Sequence, residues 1–209
     1  HNEEGLLHIL KKDPEFLIDY VNSLYSERLF DFSDSHKNLN FVWRIENIEP
    51  VIDKVFELVI EKAHYLGIQA HFCNAFFRSL TEKERPKLFL MDYCKKNYLN
   101  VEKIKVIVDI TRHSFKELFE PILLLFVSLN QDVDTFSKIS WRGNGGTYSG
   151  GVIIGDIQAS EWKNILSIVQ KSTIGTSLIP IKKHLNNCIE GALRMGDMER
   201  QERFLGKFV

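Results

Sequence analysis

A chain of 209 residues with 44% hydrophobic content can bury one large core or two small ones. Lys and Arg number 27 against 28 for Asp and Glu, so no net field draws the chain to nucleic acid, a membrane surface or polyanions. The longest wholly apolar run, Ile122 to Val127, falls far short of the roughly 20 residues that span a bilayer, which excludes a membrane-spanning role. Three cysteines, Cys73, Cys94 and Cys188, are an odd number without a disulfide framework and suit a reducing compartment, the cytoplasm by default.

Asp13-Pro14 reads as a helix start, a capping side chain before a proline, and Phe16, Leu17, Tyr20, Val21 and Leu24 follow at helical spacing. Residues 27 to 47 are less regular, with Phe30, Phe32, Phe41 and Trp43 as expected packing anchors of a folded connector. From Ile48 the pattern Val51, Ile52, Val55, Phe56, Val59, Ile60, Ala63 predicts a long amphipathic helix that stops near Gly67, answered by a second helix over Ala70 to Leu80. Thr81 to Glu84 has capping-box spacing and leads into Leu88, Phe89, Met91 and Tyr93. Asn100 is the expected cap of a helix carrying Val101, Ile104, Ile107, Val108 and Thr111. Ser114 is the expected cap of the next, through Phe115, Leu118, Phe119, Ile122, Leu125 and Phe126, with Pro121 as a kink or a helix start.

Beyond a glycine-rich tract, Trp141 to Gly155, Ser160 is the expected cap of a helix with Trp162, Ile165, Leu166, Ile168 and Val169. Leu178 to Met195 predicts one more helix, and Asp197 to Phe208 a short terminal one. Short connections pair these elements, so the predicted fold is all-α: stacked antiparallel helical hairpins, as a HEAT-like or irregular α-solenoid. A weak internal echo, Phe16-Leu17-Ile18-Asp19-Tyr20 against Phe89-Leu90-Met91-Asp92-Tyr93, favours repeats. The rest is read as a single helical domain over 1–209 with sub-blocks 1–140 and 158–209, joined by a glycine-rich loop or short hairpin at about 141–157. Helical spacing that begins and ends with the chain, together with a start lacking Met or a signal-like run, leads us to expect a C-terminal fragment of a larger protein.

The glycine tract is tested first for chemistry, because glycines let backbone N–H groups approach an anion. It lacks the Lys-Ser/Thr of a P-loop and the sixth-position glycine of a dinucleotide fingerprint. Thr147-Tyr148-Ser149-Gly150-Gly151 resembles a nucleophile elbow only in part, without its first glycine or a βαβ setting. A tight turn at Gly145-Gly146 with Thr147 to Ile154 extended accounts for it better, since Val152-Ile153-Ile154 prefers β geometry. As a recognition loop it would present Trp141, Arg142, Asn144, Tyr148 and Ser149 to a partner.

No metal or cofactor site is expected. His71 and Cys73, two apart, fall on different helix faces, and no second pair sits at zinc-site spacing. Cys94 and Cys188 read as buried thiols without a histidine on the same face. Asp109 and His113, at i and i+4, read as a helix-face pair. The clusters Arg112, His113, Lys116 and Lys182, Lys183, His184 are balanced by nearby acids, so nucleic acid is not the leading partner. Trp43, Trp141 and Trp162 read as core or groove anchors.

The order Asp13-Pro14-Glu15-Phe16, Phe41-Val42-Trp43, Ser149-Gly150, Glu161-Trp162, Ile165-Leu166 and Ile181-Lys182-Lys183-His184-Leu185 resembles the C-terminal helical-repeat region of large bacterial STAND-type NTPases. That resemblance implies a sensor segment, with the nucleotide-hydrolysing module upstream and a ligand or protein, in several cases viral, as what is sensed. The expectation is thus a non-catalytic interaction module whose partner is another protein or a neighbouring domain of its own chain. The alternative is an all-α, hydrolase-like enzyme using Ser149 with Asp156 and His184.

Overall fold

The computed structural model describes residues 3–26, 38–62, 66–142 and 152–205. Among them the chain is all-α, with ten α-helices, three 3₁₀ turns and no strand. No helix among these residues is long and apolar enough to cross a membrane. The chain divides into two compact units, residues 1–119 and 120–209.

The first unit begins with α1 (Glu3–Lys12) and α2 (Phe16–Ser26). Asp13 closes α1 by donating its backbone N–H to Ile9, and α2 starts two residues past Pro14 rather than on it. A 3₁₀ turn (Asn40–Arg44) then buries Phe41, Val42 and Trp43, the anchoring role expected of Phe41 and Trp43; Phe30 and Phe32 lie outside the described residues. Then come α3 (Glu49–Lys62), α4 (Leu66–Asn74), α5 (Glu84–Asn97) and α6 (Val101–His113). Gly67 does not stop a helix: it lies in the first turn of α4, which ends at Asn74 and gives way to turns, not to more helix as far as Leu80.

Packing explains this unit. Phe56 of α3 meets Phe89 and Tyr93 of α5 at ring separations of 5.7 and 5.5 Å, and Phe76 and Phe77, after α4, close around it at 6.0 and 6.1 Å. Trp43 joins through Phe77 and Phe89, and its indole N–H donates to Phe76 O at 2.8 Å. Edge-to-face geometry adds about 0.5–1.5 kcal/mol per pair, whereas full burial of one such side chain is worth about 1.5–3 kcal/mol, so removal from water dominates. α4 lies against α6, with Asn74 donating to Asp109 at 2.9 Å and Ser114 donating to Asn74 at 2.9 Å. α3 thus packs on α2 and α4 and reaches α5 through its aromatic side chain, while α6 takes both α4 and α5.

The helix starts show which local signals hold. Asn100 caps α6 as expected, its side chain accepting from Lys103 N at 3.1 Å. The capping box at Thr81 to Glu84 is not formed: α5 begins at Glu84, so Thr81 falls before the cap, and Lys83 occupies that place without a side-chain bond. Ser114 is a C-terminal residue of α6, its backbone N–H donating to Ile110, and its hydroxyl is committed to Asn74. Pro121 proves to mark a helix start, in the first turn of α7 (Phe119–Leu129).

In the second unit, α7 is followed by α8 (Val133–Lys138), a short helix that apolar spacing did not suggest and that Asp132 caps through Thr135 N at 2.7 Å. Two long helices follow, α9 (Ile154–Gln170) and α10 (Ile179–Phe204). They form an antiparallel hairpin: Ile154 and Asp156 at the start of α9 meet Glu199 and Arg200 near the end of α10, each at 2.6 Å. α9 opens six residues before Ser160, which is interior to it; of the expected extended stretch, Ile153 is extended while Ile154 is already helical, and residues 147–151 lie outside the described residues. α10 is one helix and not two, running through Gly196 without a break. A Cβ on Gly155 would fall 2.2 Å from Gly196 N and 2.4 Å from Ala192 O, so glycine here serves close helix contact.

Candidate binding cleft

The cleft in the first unit runs along α3 and α5, with a volume of about 310 Å³. α5 contributes Arg85, Leu88, Phe89, Asp92, Tyr93 and Lys96, at the three- and four-residue spacing that sets side chains on one helix face, and α3 contributes Glu49, Pro50 and Asp53. Phe89 and Tyr93 are held by the aromatic core behind them, so the inner wall of the cleft is rigid.

Arg85 closes one end. Its Nε and Nη2 bond Glu49 at 2.8 and 2.7 Å, and its remaining donors reach Trp43 O at 3.0 Å and Ile45 O at 3.2 Å. These carbonyls lie at the exit of the 3₁₀ turn, so one planar guanidinium fork ties α5 to α3 and to the turn.

Farther along, Asp53 is half-buried, and burial pushes its carboxyl above the ordinary range; Lys96 and Lys103 oppose that shift while Glu57 adds to it. Tyr93 is 1% exposed and its hydroxyl has no hydrogen-bond partner among the described residues. Burial also raises its phenol above the ordinary value, with Cys73, Asp53 and Glu57 acting in the same direction. A buried hydroxyl left unsatisfied costs about 1–3 kcal/mol, a cost the fold carries at this wall of the cleft. Leu88, by contrast, is 58% exposed at the rim. Helical spacing revealed Leu88, Phe89 and Tyr93 as apolar residues. It could not reveal the cleft, because which residues of α3 face them depends on the packing of the two helices.

The residues singled out from the sequence fall elsewhere. Trp141 is 1% exposed, stacked on Phe136 at 5.1 Å and against Phe126 at 5.0 Å, with its N–H donating to Phe136 O at 3.0 Å. It is core, not a presented contact, because burial of its large ring outweighs exposure. Arg142 is half-buried: it pairs with Glu161 at 3.5 Å and lies 5.6 Å from the Trp162 ring. Asn144, Tyr148 and Ser149 lie outside the described residues.

Asp156 is engaged by Arg200 at 2.6 Å, whereas His184 lies sixteen residues earlier on α10, about 24 Å of helix axis away. The two therefore do not form the acid–base pair that the hydrolase alternative needs.

His184 instead sits 3.5 Å from the Cys188 sulfur, one helical turn on, and 6.2 Å from the Phe136 ring. This corrects the reading of Cys188 as a buried thiol without a histidine: the i, i+4 spacing was legible, and the sulfur is only part-buried. Burial raises the Cys188 thiol, and nearby Arg142 partly offsets it, so it is not an activated thiolate. Asp109 and His113 are 3.3 Å apart, as their spacing suggested, but Asp109 also accepts from buried Asn74. Arg112 stacks over Phe119 at 4.2 Å, Lys182 is part-buried and Lys116 and Lys183 are exposed. No group of three or more metal-ligating side chains occurs among the described residues. Set against known proteins, the chain matches no family model, no curated protein and no solved structure.

Proposed function

We propose that the chain is a non-catalytic helical-repeat interaction module that binds a protein partner, or a neighbouring domain of its own chain, through the cleft between α3 and α5. The observation that carries this reading is the cleft itself: a rigid aromatic wall, an unpartnered buried hydroxyl, half-buried Asp53 and exposed Leu88 at one place. Aromatic and aliphatic anchors beside a few fixed polar groups are what concentrates binding energy at an interface. The pairing of α2 with α3, α3 with α4 and α5 with α6, and the packing of α4 on α6, support a stack of helical hairpins that leaves a preformed surface, so that binding need not order it.

The resemblance to STAND-type NTPases extends this to the sensing end of a larger bacterial signalling or defence protein. Three free thiols suit its action in a reducing cytoplasm. An upstream phosphate-binding loop in the full gene product would support the NTPase assignment, and a full gene product without one would remove it.

A photo-crosslinking residue at Leu88, compared with one at exposed Lys11, tests the interaction reading in cells of the source organism. The expected result is a discrete adduct from position 88 alone. No adduct, or the same adducts from both positions, overturns the cleft as a contact.

A further inference from the structure

We propose that the cleft between α3 and α5 takes an arginine side chain presented by the partner; this rests on the interaction reading and names the chemistry of its contact. Of the charged groups that line the cleft, Arg85 and Glu49 satisfy each other at 2.7 Å, which leaves Asp53 and Asp92 facing Lys96. Among the described residues no cation lies within 4.0 Å of either carboxylate. Tyr93 lines the same space, almost fully buried, with a hydroxyl that has no partner. Two carboxylates and a phenol oxygen are acceptors, and what they lack is donors.

A guanidinium presents five N–H donors in a rigid plane, so one group can meet acceptors from both walls, Asp53 on α3 and Asp92 on α5. An ammonium is more strongly hydrated and lacks the planar fork that meets a carboxylate with two parallel bonds. The apolar lining agrees: Pro50 and exposed Leu88 offer surface to the methylenes of the stem, and Phe89 offers a ring beside the cation. A metal ion fits less well, since no set of three ligating groups occurs among the described residues. An anion would meet two carboxylates against the single Lys96. Lys96 at the far end repels a second positive charge, so the cleft favours one arginine over a basic run.

Panning displayed peptide libraries against the full chain tests this, with the double variant Asp53→Asn/Asp92→Asn and the single variant Leu88→Glu as comparisons, each first checked by its circular-dichroism melt. Peptides enriched by the full chain are expected to share arginine at one position. In synthetic peptides, replacing that arginine by uncharged citrulline should weaken binding about tenfold or more, lysine should weaken it less, and the double variant should show the same loss as citrulline. Enriched peptides without a shared arginine, which still lose binding to the Leu88→Glu variant, overturn the arginine assignment while the interaction reading stands. Peptides indifferent to every variant overturn the cleft. No enrichment at all overturns both.

Discussion

Arg85 shows how one side chain can fix a local architecture. Its fork satisfies Glu49 and two carbonyl oxygens at the exit of a 3₁₀ turn, a geometry that the single ammonium of lysine cannot reproduce. Arg85→Lys is therefore expected to lower stability by about 1–2 kcal/mol, read as a lower urea midpoint at unchanged slope. An unchanged midpoint would show that the fork contributes nothing net.

Asp53 acts in the opposite sense. Burial raises its carboxyl in the folded state, so the stability tied to the protonated form is complete below the ordinary carboxyl value and is lost as pH rises through the raised one. At pH 7 the ionised group is thus a burden on the fold. Asp53→Asn should be more stable than the parent at pH 7, and the difference should close near pH 3. Chemical denaturation at the two pH values checks the sign, and a variant less stable at pH 7 contradicts it. A residue that weakens the fold where it lines a cleft is the pattern expected of a binding group.

At the scale of elements, two glycines of the α9–α10 hairpin have opposite roles. A Cβ at Gly191 meets nothing within 4 Å, so the residue contributes only backbone freedom that folding must remove. Gly191→Ala should stabilise by about 0.5–1 kcal/mol. Gly155, in the first turn of α9, faces the α10 backbone so closely that any side chain must push the helices apart, and Gly155→Ala should cost about 3 kcal/mol. Thermal melts of the pair decide it, and equal effects would refute the close crossing. Gly196, which falls between the two helices expected from the sequence, lies inside one helix and is there to admit α9.

Helix starts divide in the same way. Asn100 reaches a backbone N–H three residues on and was legible. The start of α9 is capped by Glu199 from 45 residues away, and no local pattern announces that. Ser160, which has the right residue type for a cap, is left inside the helix.

For the whole molecule, the thiols report on the two units. Cys73 and Cys94 are buried in the first, and burial pushes the Cys94 thiol up to about 12 and Cys73 well above its ordinary value, with Asp109 adding to the latter. Cys188, in the second unit, is part-buried beside His184. A thiol reagent at pH 8 should modify Cys188 first and reach the other two only on unfolding. Modification of Cys73 or Cys94 at the same rate would show that the first unit opens. Raised thiols also set an alkaline limit: stability holds below the ordinary thiol value and declines as pH rises from there toward 12.

By itself the sequence determined that this chain is helical and which face of a helix such as α3 is core, because the 3.6-residue spacing of apolar groups is a local property of each segment. Val51, Ile52, Val55, Phe56 and Val59 are buried as that spacing requires. It also determined the absence of a net field and of any phosphate-binding or zinc-site spacing. Tertiary structure alone decided where α9 begins, that α10 is continuous, that Trp141 is core, and that Asp53 comes to lie beside Tyr93. Each of these depends on which helix packs against which, and that is settled by aromatic burial and close glycine contact between segments tens of residues apart.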